Sequence, residues 1–157
     1  MIENKIELIQ SCCESVIGST IKSSETAEIL LEDGTWDDWA DLPVRLYFTD
    51  EQLLSVSWSK FDELWMSNDL SLPFSVDRMA TRWKANAFLP LQKIVGRTVR
   101  SVFIGRGEMT IGSQEIEIWT RLLFDLGDVW FEVVNALDQN DYELHTAMPN
   151  GEFRKCL

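Results

Sequence analysis

The segment from Glu32 to Asp41 is where residue types and spacing most strongly suggest chemistry. Its ten residues combine four aspartates, one glutamate and two tryptophans. Tryptophans anchor protein interfaces, and carboxylates around them favour a basic partner. The spacing fits neither a helix nor a strand, so we expect a loop, the kind of segment that often carries function. The candidate partner-binding residues are Asp33, Trp36, Asp37, Asp38, Trp39 and Asp41.

Two other functions and one structural role also fit this segment. Tryptophan faces stack on sugar rings and aspartates accept hydrogen bonds from sugar hydroxyls, so a carbohydrate-binding module or a hydrolase is the alternative function. A calcium loop is poorly supported, because the aspartates lack the alternate spacing and the terminal glutamate that such loops use. The structural role is a solvated acidic loop held by two buried tryptophans.

The remaining sequence predicts no catalytic residues, no metal and no cofactor. His145 is the only histidine, so a zinc site would need cysteine or carboxylate ligands, and we expect instead a surface or satisfied strand histidine. Cys12, Cys13 and Cys156 form no Cys-x-x-Cys pair and are expected to act as small hydrophobic side chains. No nucleophile elbow or phosphate-binding glycine loop is present. These absences argue against an enzyme.

The charge of the chain is strongly negative and unevenly distributed. Fourteen basic and 26 acidic residues give a net charge of −12, which disfavours nucleic acid as a partner because phosphate would be repelled. Residues 1–78 carry a net charge of −11 and residues 79–157 a net charge of −1. The stretch from Arg78 to Arg106 contains seven basic residues and no acid. It either packs beside the acidic half and lowers its self-repulsion or presents a second binding surface.

The N-terminal residues and the hydropathy indicate no membrane contact. The first residues lack the basic stretch and apolar core of a secretory signal. No apolar run approaches the roughly 20 residues that cross a bilayer. We therefore expect a cytoplasmic protein.

An internal similarity suggests two related halves. Val16–Ser23 recurs 78 positions later as Ile94–Ser101, in the pattern apolar-apolar-Gly-x-Thr-apolar-basic-Ser. Three matches in the same order predict duplication of a unit of about 60 residues. The two shorter matches, both 76 positions apart, are Arg45–Phe48 with Arg121–Phe124 and Phe61-Asp62 with Leu137-Asp138.

The hydrophobic pattern predicts mostly strands. Alternation indicates strands at Val44–Phe48, Leu54–Trp58 and Val129–Val133, and helical spacing indicates helices at Ile2–Val16 and Asp77–Ala87. The hairpin turns are expected at Thr49–Gln52 and Asp125–Asp128. The tryptophans expected in the core are Trp58, Trp65, Trp119 and Trp130.

These patterns predict an α+β, predominantly antiparallel β fold, with an N-terminal helix and two similar β-rich units packed as one domain. The whole chain, 1–157, forms the single globular domain. Residues 16–69 form the first β unit and residues 94–157 the second. Residues 70–93 are a linker with a helix.

The predicted function is non-catalytic binding of a basic protein partner through the acidic, tryptophan-containing surface. A small, acidic chain without a catalytic constellation resembles, in profile and not in motif, the bacterial immunity proteins that inhibit toxins. The physical basis is that an acidic inhibitor associates quickly with a basic nuclease face through electrostatic steering.

Overall fold

The N-terminal helix packs on a β-rich body. The computed structural model describes all residues, 1–157. Helix α1 spans Ile2–Cys13 and continues as a 3-10 turn over Glu14–Val16, so the predicted N-terminal helix is confirmed with a tighter last turn. Ile9 and Cys13 of this helix are fully buried. Neither α-helix has the length and apolar composition needed to cross a membrane.

The first sheet has six antiparallel strands. Strands β3, β4 and β5 follow β1 in that order, β2 pairs with β1 on the same edge as β3, and β6 pairs with the opposite edge of β1. The long strand β1 pairs with β3 near its start and with β2 near its end, because in this antiparallel pairing it extends beyond Val44, the first residue of β3. The strands are β1 Ile21–Leu30, β2 Trp36–Asp38, β3 Val44–Phe48, β4 Leu53–Ser59, β5 Glu63–Ser67 and β6 Thr81–Ala85.

The second sheet has five antiparallel strands in the order β12-β11-β10-β7-β13. The short helix α2, Leu89–Lys93, precedes it, and a separate hairpin, β8–β9, projects from the β7–β10 connection. The strands are β7 Ser101–Gly107, β8 Thr110–Ile111, β9 Gln114–Glu115, β10 Ile118–Asp125, β11 Trp130–Asn135, β12 Asn140–His145 and β13 Phe153–Lys155.

One hydrophobic core of 27 buried residues joins α1 to the facing sides of both sheets. Burial of this apolar surface is the main favourable contribution to folding. Trp58 and Trp119 lie in this core, 0% and 3% exposed, as expected. Trp65 and Trp130 are only half-buried; Trp130 packs on Phe103, with 5.8 Å between the ring centroids. The expectation of core packing is therefore correct for two of the four.

The predicted hairpin turns are present, and Gly127 adopts a positive φ of 96° in the second of them. The helix predicted at Asp77–Ala87 is wrong, because strand β6 occupies the centre of this range. β6 pairs with the edge of β1 that β3 leaves free, and such a long-range pairing overrides the weak helical pattern. The helix starts later, at Leu89, with Pro90 in its first turn, where the missing N–H of proline costs little.

The loop expected over Glu32–Asp41 also contains regular structure. Its central residues, Trp36–Asp38, form strand β2 opposite Glu28–Leu30. The end of β1 offers backbone donors and acceptors that β3 does not reach, and β2 satisfies them. The remainder of this segment lacks strand structure, so the loop prediction is wrong only for β2.

The two matching sequence segments lie against each other. The Gly18 N–H donates to the Val99 carbonyl and the Gly96 N–H donates to the Ile21 carbonyl, both at 2.8 Å. The two bonds are equivalent, because Gly18 corresponds to Gly96 and Val99 corresponds to Ile21 at the offset of 78 positions. Both glycines have positive φ, 82° and 86°, which glycine adopts without strain. The duplication itself stays a prediction.

Candidate functional site

An acidic cleft of about 560 Å³ opens where the two sheets meet, beside β2. Asp37–Ala40 and Leu42 form one wall, and Thr26-Ala27 of β1 lies behind them. The other wall comes from Phe88–Pro90, at the start of α2, and from Gln139–Tyr142, around the start of β12. The volume lies within the range of small-ligand pockets, about 300–1,000 Å³.

The lining of the cleft combines carboxylates with aromatic rings. Asp37, Asp38 and Asp141 are exposed to solvent, and no lysine or arginine lines the cleft. Phe88 and Tyr142 lie on the opposite wall, with 5.7 Å between their ring centroids. Carboxylates at the rim and apolar walls below suit a cation that is carried on an alkyl stem, because aromatic faces also attract cations.

The pKa of Asp38 reflects the partial burial of its carboxyl in the cleft wall and, to a smaller extent, the negative charge around it. Burial raises the pKa above its ordinary value of 3.8, and the neighbouring carboxylates of Glu28 and Asp37 raise it further. Lys84 acts in the opposite direction but only partly offsets these effects. A cationic group in the cleft would relieve the repulsion between the carboxylates.

Thr26 supplies an unpaired polar group in the same wall. Its side chain is 6% exposed, and its Oγ1 has no hydrogen-bond partner in the protein. A buried hydroxyl without a partner costs about 1–3 kcal/mol. A ligand with a polar group at this depth would recover that cost.

Asn140, in contrast, is already fully used by the fold. Its side chain is 4% exposed. The amide oxygen accepts the Trp58 backbone N–H at 2.9 Å, and the amide nitrogen donates to the Val56 carbonyl at 3.0 Å. Asn140 therefore fixes β12 against β4 and so determines the width of the cleft.

The cleft gathers three of the six sequence-predicted residues, namely Asp37, Asp38 and Trp39. Asp33 lies outside it and closes a tight turn, accepting hydrogen bonds from the Thr35 N–H and hydroxyl at 2.9 and 2.6 Å. Asp41 is also outside the cleft and accepts a bond from the Trp39 indole at 3.3 Å. These two aspartates hold local structure and point to no ligand.

Trp36 is covered by a basic side chain. The Arg82 guanidinium lies 4.2 Å from the centroid of the Trp36 ring, and its Nε donates to Glu28 at 2.7 Å. At this point the basic stretch packs beside the acidic half, as one of the two interpretations of the charge distribution expects. The Trp36 face is therefore occupied within the chain.

The residues that sequence reasoning missed come from distant parts of the chain. Phe88, Asp141 and Tyr142 reach the cleft only because the second sheet packs against the first. Asp141 ends the polar run Asn135–Asp141, whose composition is typical of a turn and carries no information about the segment it faces. No local signal could have placed these residues opposite Asp38.

A second, larger cavity of about 1110 Å³ lies on the outer face of the second sheet. Its floor contains Glu132, a carboxylate with no solvent exposure, which is paired with the Arg121 guanidinium. His145 lies in β12, as expected, and its Nε2 is 2.9 Å from Glu132 Oε1. No pattern in the sequence indicates this cavity.

Comparisons of the chain with protein-family models, with curated proteins and with solved structures found no significant match. The features of the cleft that bear on function are its three carboxylates, its aromatic walls and the unpaired buried hydroxyl of Thr26.

Proposed function

We propose that the chain is a non-catalytic binding protein that holds a basic protein partner at the acidic cleft. The observation that carries the proposal is the presence of three aspartates and no basic side chain around an aromatic-walled cleft. A lysine or arginine side chain of the partner would lay its methylene stem along Trp39 and Phe88. Its charged head would meet Asp37, Asp38 and Asp141.

The charge of the whole chain supports the same partner chemistry. The net charge is −12, and a field of this sign raises the association rate of a positively charged protein. A toxin with a basic active face, inhibited by an immunity protein, is the specific form that the sequence profile suggests. The energetic contribution would come from the buried anchor, and the surrounding charge would mainly affect the association rate.

Two double variants with the same change in charge test the proposal. Asp37→Asn/Asp38→Asn removes two charges from the cleft, whereas Asp33→Asn/Asp41→Asn removes two charges just outside it. Asparagine keeps a side-chain acceptor oxygen in the turn at Asp33 and beside the Trp39 indole. Wild type and both variants would serve as baits for partner capture, followed by calorimetric titration of the purified partner at several salt concentrations.

We expect a basic partner that binds wild type and the outer variant with similar affinity. The cleft variant should lose at least about tenfold, because each charged hydrogen bond is worth about 1.5–3 kcal/mol. Binding should also weaken as salt is raised. Equal losses in the two variants would mean that net charge, not the cleft, determines binding, and salt-independent binding of glycans would instead favour the carbohydrate alternative.

We also infer that the two halves arose by duplication. The equivalent hydrogen bonds of Gly18 and Gly96 support this inference. The order of elements also supports it, since each half contains a helix, a long strand, a long connection and then three strands. Superposition of β1, β3, β4 and β5 on β7, β10, β11 and β12 is the test. A best fit at an offset other than 76–78 residues would contradict it.

A further inference from the structure

The buried carboxylate of Glu132 lies in an unusual position for a sheet residue. It is on the outer face of β11, away from the main core, yet its side chain has no solvent exposure. Glu143 is directly opposite it on β12, and His145 is two residues further along the same face. Two carboxylates directly opposite each other destabilise a sheet unless a cation lies between them.

The three side chains converge on one point. His145 Nε2 is 2.9 Å from Glu132 Oε1 and 3.6 Å from Glu143 Oε2. One potential ligand atom from each of the three residues lies within 4.8 Å of the others. Nitrogen and oxygen ligands that bind one zinc-like ion at about 2.0–2.2 Å lie roughly 3–3.5 Å apart. The two separations from His145 Nε2 are close to this range before any adjustment of rotamers.

Arg121 holds Glu132 from the other side. Its Nε donates to Oε2 at 2.5 Å and its Nη2 donates to Oε1 at 3.0 Å. The pair fixes the orientation of the carboxylate, as hydrogen bonds to metal-binding carboxylates generally do. The guanidinium charge is balanced by Glu132, which leaves the negative charge of Glu143 uncompensated apart from its contact with His145.

The surroundings of the cluster also favour a cation. Six carboxylates and three basic side chains line the cavity. The side chains of His145 and Glu143 are 25% and 51% exposed, so an ion can reach them from solvent. The size of the cavity would leave coordination positions open to water or to a further ligand.

We propose that Glu132, Glu143 and His145 form a binding site for a divalent transition-metal ion of the zinc class. One imidazole and two carboxylates are a mixed set that suits Zn²⁺, Co²⁺ or Mn²⁺. The ion would take the place of the hydrogen bond between His145 Nε2 and Glu132 Oε1, and Arg121 would remain on Glu132. This site is separate from the acidic cleft, and its test is independent of the partner-binding proposal.

The test uses Zn²⁺ as the probe and a matched pair of variants. Glu143→Gln removes a proposed ligand, whereas Glu152→Gln removes a carboxylate from the same cavity that has nearly the same side-chain exposure, 54% against 51%. His145→Gln removes the imidazole while retaining a group that can donate to Glu132. Calorimetric titration with Zn²⁺ gives the affinity of each protein, and urea unfolding verifies that each is folded.

We expect one Zn²⁺ per chain, with at least about tenfold weaker binding in Glu143→Gln and His145→Gln and little change in Glu152→Gln. Because His145 is the only histidine, a long-range ¹H–¹⁵N spectrum reports on its ring without ambiguity, and Zn²⁺ should shift its Nε2 signal. An unshifted Nε2, or equal Zn²⁺ affinity in wild type and His145→Gln, would overturn the proposal. The cluster would then be a hydrogen-bonded network that only stabilises the sheet.

Discussion

The side-chain amide of Asn140 joins the two sheets through two buried hydrogen bonds. Backbone pairing of β3 with β4 ends at Val44 and Val56. Where this pairing ends, the Asn140 amide bonds to the Val56 carbonyl and to the Trp58 N–H. It occupies the position that the backbone of a longer β3 would fill. Val56 and Trp58 have no solvent exposure. Asn140→Ala therefore leaves one buried donor and one buried acceptor without this partner.

The cost of this substitution follows from the two groups. A buried polar group left without its partner costs about 1–3 kcal/mol. Two such groups give about 2–5 kcal/mol if a water molecule or a small shift recovers part of the loss. For a chain of this length each kcal/mol lowers Tm by about 2–4 °C. We therefore expect Asn140→Ala to lower Tm by roughly 4–20 °C.

Thermal unfolding followed by tryptophan fluorescence measures the change in Tm, and urea unfolding measures the change in the free energy of unfolding. Gln139→Ala, an exposed neighbour in the same turn, is the control and should change stability by less than about 0.5 kcal/mol. Asn140→Asp keeps the acceptor for Trp58 but, when ionised, has no proton to donate to Val56, so it should regain stability on acidification. A loss below about 1 kcal/mol in Asn140→Ala would refute the view that this amide joins the sheets.

Three further substitutions or measurements test other features. The pKa of Asp38 is raised above 3.8 in the folded chain, so the free energy of unfolding falls as rising pH removes the proton from this carboxyl. The stability of Asp38→Asn relative to wild type should therefore increase as the pH is raised from about 3 to 7. A stability difference that does not change with pH would contradict this. Leu137 is 98% exposed with a φ of 55°, so Leu137→Asn should stabilise by about 0.5–1 kcal/mol in urea unfolding, and a loss would disprove backbone strain there. Burial raises the pKa of the fully buried Cys13, so its thiol should react slowly with Ellman's reagent until the chain unfolds; rapid labelling of Cys13 in the native protein, identified by mass spectrometry, would argue against burial.

Local patterns predicted the elements that are stabilised locally. Val44–Phe48 alternates in polarity, ends in a polar turn and pairs with the next strand in sequence, so its position was readable from a few residues. Strand β6 is different, because its partner β1 lies more than 50 residues earlier and its own residues are largely exposed. A short edge strand of this kind depends on the free backbone groups of its partner, which the sequence does not display.

The candidate site was likewise predictable only where the signal lies within one short segment of the sequence. Asp37, Asp38 and Trp39 could be selected because acids and tryptophans are concentrated within one short segment. The opposite wall, with Phe88 and Tyr142, is formed only when the sheets pack, and its residues are ordinary in their local context. Glu132 was indistinguishable in the sequence from any other acid in a strand, since only the fold reveals its burial.

Both of the cavities described above are lined by residues from the two halves of the chain. The acidic cleft joins Asp38 of the first half to Tyr142 of the second, and the larger cavity joins Phe61 to Glu132 in the same way. A ligand bound in either cavity would therefore contact both halves and stabilise the packing between them. At a concentration one hundred times its Kd it would add about 2.7 kcal/mol to the stability of the folded state. Resistance to proteolysis would thus increase with occupancy, so the lifetime of the chain in a cell would depend on the supply of its ligand.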